Sequence, residues 1–178
     1  MKSKKFLIGS VILSLSLLPT VANAWSGTVD YWSDISGLSY TWGSNLQGSS
    51  LSKTAFQQAV SDWNSTPTRV YFTYNSSSFT EFNTECITDS SEYGYTQVYS
   101  LDLDPQYFKS FLNVCKSDFS QTNIARSVAN HELGHGLTLY DDNFTSPTAI
   151  MNQNRNRTNV YVPGSDDILG INTKYPIN

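Results

Sequence analysis

Charged residues make up only 15% of this 178-residue chain, and the small net charge is acidic. The formal charge of −4 leaves no basic surplus of the kind that binds a phosphate backbone, which argues against nucleic acid as a partner. Because 39% of the residues are hydrophobic, the chain has enough apolar material for a core, and wholesale disorder is excluded. The length and the lack of internal repeats predict one monomeric domain.

Long hydrophobic runs are scarce too, and the one that occurs lies near the N-terminus. The mainly apolar run Phe6–Leu18 follows three lysines and precedes the small-residue pattern Ala22–Ala24, as in a secretory signal peptide. Its 13 residues fall short of the roughly 20 that a membrane-spanning helix needs. We therefore predict a signal peptide over 1–24 and a mature domain over 25–178, secreted to the extracellular or periplasmic space and free of the membrane.

Only two cysteines occur, Cys86 and Cys115, so at most one intramolecular bridge can form. An oxidising compartment would let them pair. On the chain-entropy model, closing a loop of about 30 residues stabilises the fold by roughly 3 to 4 kcal/mol. The alternative is a metal-ligating thiol, but the chain has no Cys-x-x-Cys spacing. We therefore predict a Cys86–Cys115 disulfide.

In the remaining chain, apolar residues that recur every two positions predict strands, and those that recur every 3.6 positions predict helices. The predicted strands are Leu38–Trp42, Arg69–Tyr74, Tyr95–Leu103 and Phe111–Cys115, with one further short strand between Glu81 and Glu92. The predicted helices run from Ser52, as N-cap, to Trp63, then from Ser120 or Thr122 through the histidines, and last from a cap at Ser165. The aperiodic stretch Asp141–Val162 is predicted to be a long surface connection over a functional edge.

The only two histidines, His131 and His135, stand four residues apart in a predicted helix, with Glu132 directly after the first. Residues four apart share one helical face, so both imidazoles can reach a single zinc ion. Glu132 does not need to ligate, because it can hydrogen-bond a water held on the metal and act as general base. The pattern predicts one catalytic zinc held by His131 and His135.

A catalytic zinc usually has three protein ligands and one open position. The third ligand here can be neither histidine nor a downstream glutamate, since no glutamate follows Glu132. The downstream acids are Asp141, Asp142, Asp166 and Asp167. Asp141 lies ten residues after His131, the spacing of the extended zincin motif, in which one sharp turn after the helix returns to the metal. We predict Asp141 as the third ligand.

The run from His131 to Asp141 resembles the metzincin signature H-E-x-x-H-x-x-G-x-x-H, with an aspartate in the last position as in the snapalysins. Thr148–Met151 is similar to the Met-turn, in which Met151 would lie beneath the zinc without binding it, and Ser165–Ile171 is similar to the closing helix of the matrixins. The resemblance implies an α+β fold with a twisted, mostly parallel sheet, two long helices and a C-terminal helix. It also implies a secreted zinc endopeptidase that hydrolyses protein or peptide substrates through a Glu132-activated water.

The chain departs from the metzincin pattern at two positions. Thr138 stands where the family has glycine, and a β-branched residue is poorly suited to a positive φ. If Gly136 takes up the bend instead, Asp142 could replace Asp141 as ligand. Gln153 stands where some metzincins keep a tyrosine, two residues after the methionine.

The sequence gives little support for further ion sites and leaves two alternative functions open. The second zinc of the matrixins needs histidines that this chain lacks, so no such site is expected. Calcium is unsupported, because the spacing of Asp89, Glu92, Asp102 and Asp104 fits no recognised loop. The matrixin resemblance could pair Asp166 or Asp167 with the amino group of Trp25. The alternative functions are a zinc-binding interaction protein with weak or no activity, and a disulfide-bonded binding module with an accidental motif.

Overall fold

A computed structural model describes residues 31–46, 50–142 and 146–177 and has an α+β architecture. Its helices are α1 (Ser50–Asn64), α2 (Thr122–Gly136) and α3 (Ser165–Lys174). Its strands are β1 (Leu38–Trp42), β2 (Phe72–Tyr74), β3 (Glu81–Glu85), β4 (Gly94–Leu101) and β5 (Asp104–Asn113). The predicted signal peptide, its cleavage point and Trp25 lie outside these residues. In the described part of the chain, no helix combines the length and apolar character needed to cross a membrane.

The five strands form one mixed, mostly parallel sheet in the order β2-β1-β3-β5-β4. β1 runs parallel to both β2 and β3, and β3 runs parallel to β5. β4 is the exception, since it pairs antiparallel with β5 as a hairpin. β4 therefore forms an edge of the sheet and carries backbone groups that no other described strand pairs with.

The structure confirms β1, a short strand after Glu81, and the two long helices, and it corrects several boundaries. α1 begins at Ser50, so Ser52 lies inside the helix and is not its N-cap, because Leu51 packs against the core and extends the first turn. α3 begins at Ser165 with Gly164 as N-cap, because the Asp167 carboxylate accepts the Gly164 N–H. Ser165 is therefore the first helical residue and not the cap.

The strand boundaries differ most at β5 and β2. β5 begins at Asp104, well before the predicted start. Asp104 and Pro105 are poor strand formers, and they belong to the strand because this segment pairs with β4 as a hairpin. β2 is limited to Phe72–Tyr74, the residues that pair with β1. The 141–162 segment has no helix or strand among its described residues, as predicted, but it is not confined to the surface, since Met151 and Arg155 are buried.

The core lies between the sheet and the helices α1 and α2, where stacked aromatic rings fix the distance between the layers. Phe82 of β3 stacks on Phe56 of α1 with ring centroids 4.6 Å apart. Trp63 of α1 is fully buried, and its indole N–H donates to the Asn130 carbonyl oxygen of α2 at 3.1 Å. Burying one such side chain stabilises the fold by roughly 1.5 to 3 kcal/mol. These contacts join α1 to the sheet and join α2, the helix with both histidines, to α1.

Cys86 and Cys115 form the predicted disulfide, which joins the residues just after β3 to those just after β5. Asn113 lies beside the bridge, and its side chain accepts the N–H of Ile87 at 3.0 Å and donates to the Glu92 carbonyl oxygen at 3.0 Å. The bridge and this amide together anchor the loop that leads into β4.

Candidate metal centre

α2 places His131 and His135 one turn apart with their rings nearly perpendicular, at 79°, and their centroids 4.6 Å apart. The Nδ1 atom of His131 lies 2.9 Å from the Ile150 carbonyl oxygen, and that of His135 lies 2.9 Å from the Leu139 carbonyl oxygen. A carbonyl oxygen only accepts, so Nδ1 of His135 carries the proton and its Nε2 presents a lone pair, as in a metal-ligating histidine that a backbone acceptor orients. Nδ1 of His131 also lies 3.2 Å from Nη1 of Arg155, which only donates, so the two neighbours of this nitrogen favour opposite tautomers.

The chain turns back toward the histidines at Thr138, whose φ is +62°. This conformation costs an L-residue roughly 1 to 2 kcal/mol. Contacts around Thr138 offset the cost: its Oγ1 lies 2.9 Å from the Tyr175 hydroxyl, and Lys174 Nζ donates to its carbonyl oxygen at 3.0 Å. Gly136 remains in α2 and no described glycine has a positive φ, so the alternative of an earlier bend at Gly136 is wrong.

The turn brings Asp141 to the histidines, and its two oxygens have different surroundings. Oδ2 accepts a hydrogen bond from Nε2 of Gln153 at 2.6 Å. Oδ1 is buried without a hydrogen-bond partner, although it lies 3.2 Å from Nε2 of His131 and 3.6 Å from Nε2 of His135. A buried, unpaired carboxylate oxygen is costly, which indicates that this oxygen is arranged for a ligand.

His131, His135 and Asp141 are the one group of three or more candidate ligands that the described residues bring together, with donor atoms all within 4.8 Å of one another. Ligand atoms about 2.0 to 2.1 Å from a tetrahedral zinc lie about 3.3 Å apart, which follows from those bond lengths. The distances from Oδ1 of Asp141 to Nε2 of His131 and Nε2 of His135, 3.2 and 3.6 Å, are close to that value. The donor set therefore fits a metal ion, and Asp142 is not part of it.

The charges around this group also favour a cation. Burial lowers the pKa of His131 to about 4 and raises that of Glu132 to about 7. Arg155, only 4% exposed, has no ion pair in the described chain, and burial lowers its pKa to about 9. Beside it lie the positive charge of Arg157 and the carboxylates of Glu132, Asp141 and Asp167. When all are ionised, the negative charges outnumber the positive ones by one, and a bound cation would offset this excess.

Glu132 projects from α2 toward β4 and is only 2% exposed. Its Oε2 accepts a hydrogen bond from Thr96 Oγ1 at 2.9 Å. Its Oε1 faces Gly94, where a Cβ would lie 2.7 Å away. Oε1 accepts no hydrogen bond from any described residue and is not among the fully buried unpaired atoms, so it stays open to the cleft.

Met151 is fully buried against α2, where a side chain at Gly134 would overlap its sulfur atom. This contact explains why a glycine is tolerated inside α2, where it costs about 1 kcal/mol relative to alanine. The turn that carries Met151 is held by Asp167 of α3, whose carboxylate accepts the N–H groups of Ile150 at 2.8 Å and Met151 at 3.1 Å. Asp167 thus has three backbone donors, with Gly164 as the third.

Replacing Asp167 with alanine should destabilise the fold by about 3 kcal/mol, because it leaves three backbone N–H groups in or near the core without acceptors. Asp166 is the matched control, since it is adjacent and more exposed, and Asp166→Ala should cost clearly less. Chemical denaturation of the two variants checks the difference. Equal losses would mean that the Met151 turn does not depend on this carboxylate.

An open cleft of about 770 Å³ lies over the group. One wall is β4 with the residues before it, and the other is formed by the segment after Met151. Its lining includes all the predicted site residues with a polar function, namely His131, Glu132, His135 and Asp141. Sequence reasoning gave no role to three residues that line the cleft, Gly94, Thr96 and Arg155. It also gave no role to Tyr175, which supports the turn at Thr138.

In comparisons with known proteins, no family model matches the sequence and no curated protein matches it significantly.

Proposed function

We propose that this protein is a secreted, zinc-dependent endopeptidase of the metzincin type, with a snapalysin-like aspartate in the ligand set. One observation carries the proposal: three potential ligands converge beside a buried glutamate that lines an open cleft. The signal-peptide pattern and the disulfide support secretion. The buried Met151, which packs against the helix of the two histidines, and the support from α3 agree with the Met-turn and the closing helix of the family that the chain resembles.

His131, His135 and Asp141 would hold the ion through two Nε2 atoms and Oδ1. A zinc ion bound there would polarise the carbonyl group of a peptide bond and lower the pKa of a water molecule. The Ile150 and Leu139 carbonyl oxygens orient the two imidazoles, and Gln153 orients the carboxylate. Each ligand is thus fixed by a second contact, which limits the reorganisation needed for binding.

Glu132 is the general base in this proposal. Because Oε2 is held by Thr96, the open oxygen Oε1 is the atom that accepts a proton from the attacking water. The same oxygen then gives that proton to the nitrogen of the leaving amine. Burial raises the pKa of Glu132 toward neutrality, which suits a group that must both take up and release a proton.

β4 offers a binding surface for the substrate backbone. It is an edge strand of the sheet, and its residues Gly94, Thr96 and Val98 line the cleft. An extended peptide can pair with the open side of such a strand through main-chain hydrogen bonds, which depend little on sequence. This surface would present a peptide bond of the substrate to Glu132, and it favours a protein or unfolded peptide as substrate.

The test is metal content and peptide hydrolysis by the purified mature chain, 25–178. We expect about one zinc per chain and cleavage of casein that stops with a chelator and returns with added zinc. Zinc binding without cleavage would favour the weakly active or inactive interaction protein instead. A chain that binds no zinc would leave only the disulfide-bonded module with an accidental motif.

A further inference from the structure

A single hydroxyl group ties the proposed general base to the sheet. Thr96 Oγ1, on β4, lies 2.9 Å from Oε2 of Glu132 and 2.9 Å from the backbone oxygen of the same residue. It also lies 2.9 Å from Ser110 Oγ of β5, a residue that is fully buried. A hydroxyl has one proton, so a hydrogen bond donated by Ser110 leaves the Thr96 proton for the two Glu132 oxygens, of which the ionised carboxylate is the stronger acceptor.

The same strand leaves room for the carboxylate. A Cβ at Gly94 would lie 2.7 Å from Oε1 of Glu132 and 2.7 Å from the Phe111 carbonyl oxygen. Any other residue at this position would displace the Glu132 side chain or the β5 backbone. β4 therefore supplies a hydrogen-bond donor on one side of the carboxylate and open space on the other.

We propose that Thr96 is the positioning residue for Glu132 and that Ser110 directs its hydroxyl proton. The inference rests on the proposed function, in which Glu132 is the general base. Among the described residues, Thr96 is the one hydrogen-bond donor to this carboxylate. Without the hydrogen bond from Thr96, the Glu132 carboxylate can rotate, and its Oε1 faces the cleft for a smaller fraction of the time. Small errors in the placement of a catalytic group carry large costs in rate.

Two substitutions of Thr96 separate the hydrogen bond from packing. Thr96→Val keeps the shape and removes the hydroxyl, so kcat should fall about 10- to 100-fold, with KM and zinc affinity within about twofold of wild type. Thr96→Ser keeps the hydroxyl and should stay within about threefold in kcat. A valine variant as active as wild type, or a serine variant as impaired as valine, would overturn the proposal. If the valine variant does not fold, Ser110→Ala should lower kcat about three- to tenfold, and no loss there would count against it equally.

A spectroscopic measurement tests the contact without relying on activity. The chain has only four glutamates, Glu81, Glu85, Glu92 and Glu132, so carbon-13 labelling of the glutamate carboxyl groups gives four signals. The signal that disappears in Glu132→Gln belongs to Glu132. In the zinc-free protein at high pH, Thr96→Val should shift this signal and Thr96→Ser should not. An unshifted signal in the valine variant would refute the contact, whereas zinc binding with no cleavage by wild type would refute the proposed function alone.

Discussion

Replacing Glu132 with glutamine should lower peptide hydrolysis by about 10²- to 10⁴-fold while zinc stays bound, since this is the range that a general base contributes. Glutamine has nearly the same shape, and its amide oxygen can still accept the hydrogen bond from Thr96. It cannot take up a proton, which is the step assigned to Oε1. The ligand atoms on His131, His135 and Asp141 are unchanged, so metal content should remain at about one ion per chain.

Steady-state hydrolysis of a fluorogenic peptide, with metal analysis of the same samples, checks this prediction. The matched control is Glu92→Gln, because Glu92 also lines the cleft but is exposed, and its activity should remain within about threefold of wild type. Near wild-type hydrolysis by the Glu132 variant would eliminate Glu132 as general base. Loss of zinc would instead assign Glu132 a role in holding the metal.

Removing the Asp141 carboxylate should weaken zinc binding by more than about 100-fold. Changes in the contacts that merely support a ligand commonly cost 10- to 100-fold, and the loss of a ligand itself should exceed that range. Oδ1 of Asp141 is the atom that lies near both Nε2 atoms. Asp142 is the neighbouring control: it is buried, but it lies outside the group, so Asp142→Ala should cost less than about tenfold.

Competition with a chromophoric chelator measures both affinities. Zinc should also raise the midpoint of thermal unfolding of wild type and of the Asp142 variant, and much less that of Asp141→Ala, because only a ligand that binds the folded state stabilises it. The reverse order of affinities would move the ligand position by one residue. Equal zinc affinities in the two variants would mean that neither aspartate is the third ligand beside the two histidines.

The site residues that sequence reasoning found are those fixed by local geometry. The spacing of His131 and His135 is a property of one helix, and Asp141 follows after a single turn. Their convergence in the structure therefore needs little information from the rest of the chain. Whether they bind zinc and catalyse hydrolysis stays a prediction.

The residues that were missed depend on contacts that are distant in sequence. Thr96 lies 36 positions before Glu132 and meets it because β4 pairs with β5 in one particular register. Arg155 lies in a stretch without hydrophobic periodicity. Nothing in the sequence of that stretch indicates that its charged side chain is buried. The sequence also suggested that a threonine at position 138 would move the bend, since intrinsic preference disfavours positive φ there. Tyr175 and Lys174 override that preference through hydrogen bonds from α3 and the residue after it.

The contacts around Thr138 have a consequence for the order in which the site can form during synthesis. The Tyr175 hydroxyl receives the Trp32 backbone N–H at 3.2 Å and donates to the Leu137 carbonyl oxygen at 3.2 Å. Asp167, which supports the Met151 turn, is also translated late. A nascent chain that has reached only Asp141 already carries every candidate ligand but lacks the groups that hold them in place. Metal capture should therefore follow completion of the polypeptide through Tyr175, and ribosome-bound intermediates should compete poorly for zinc.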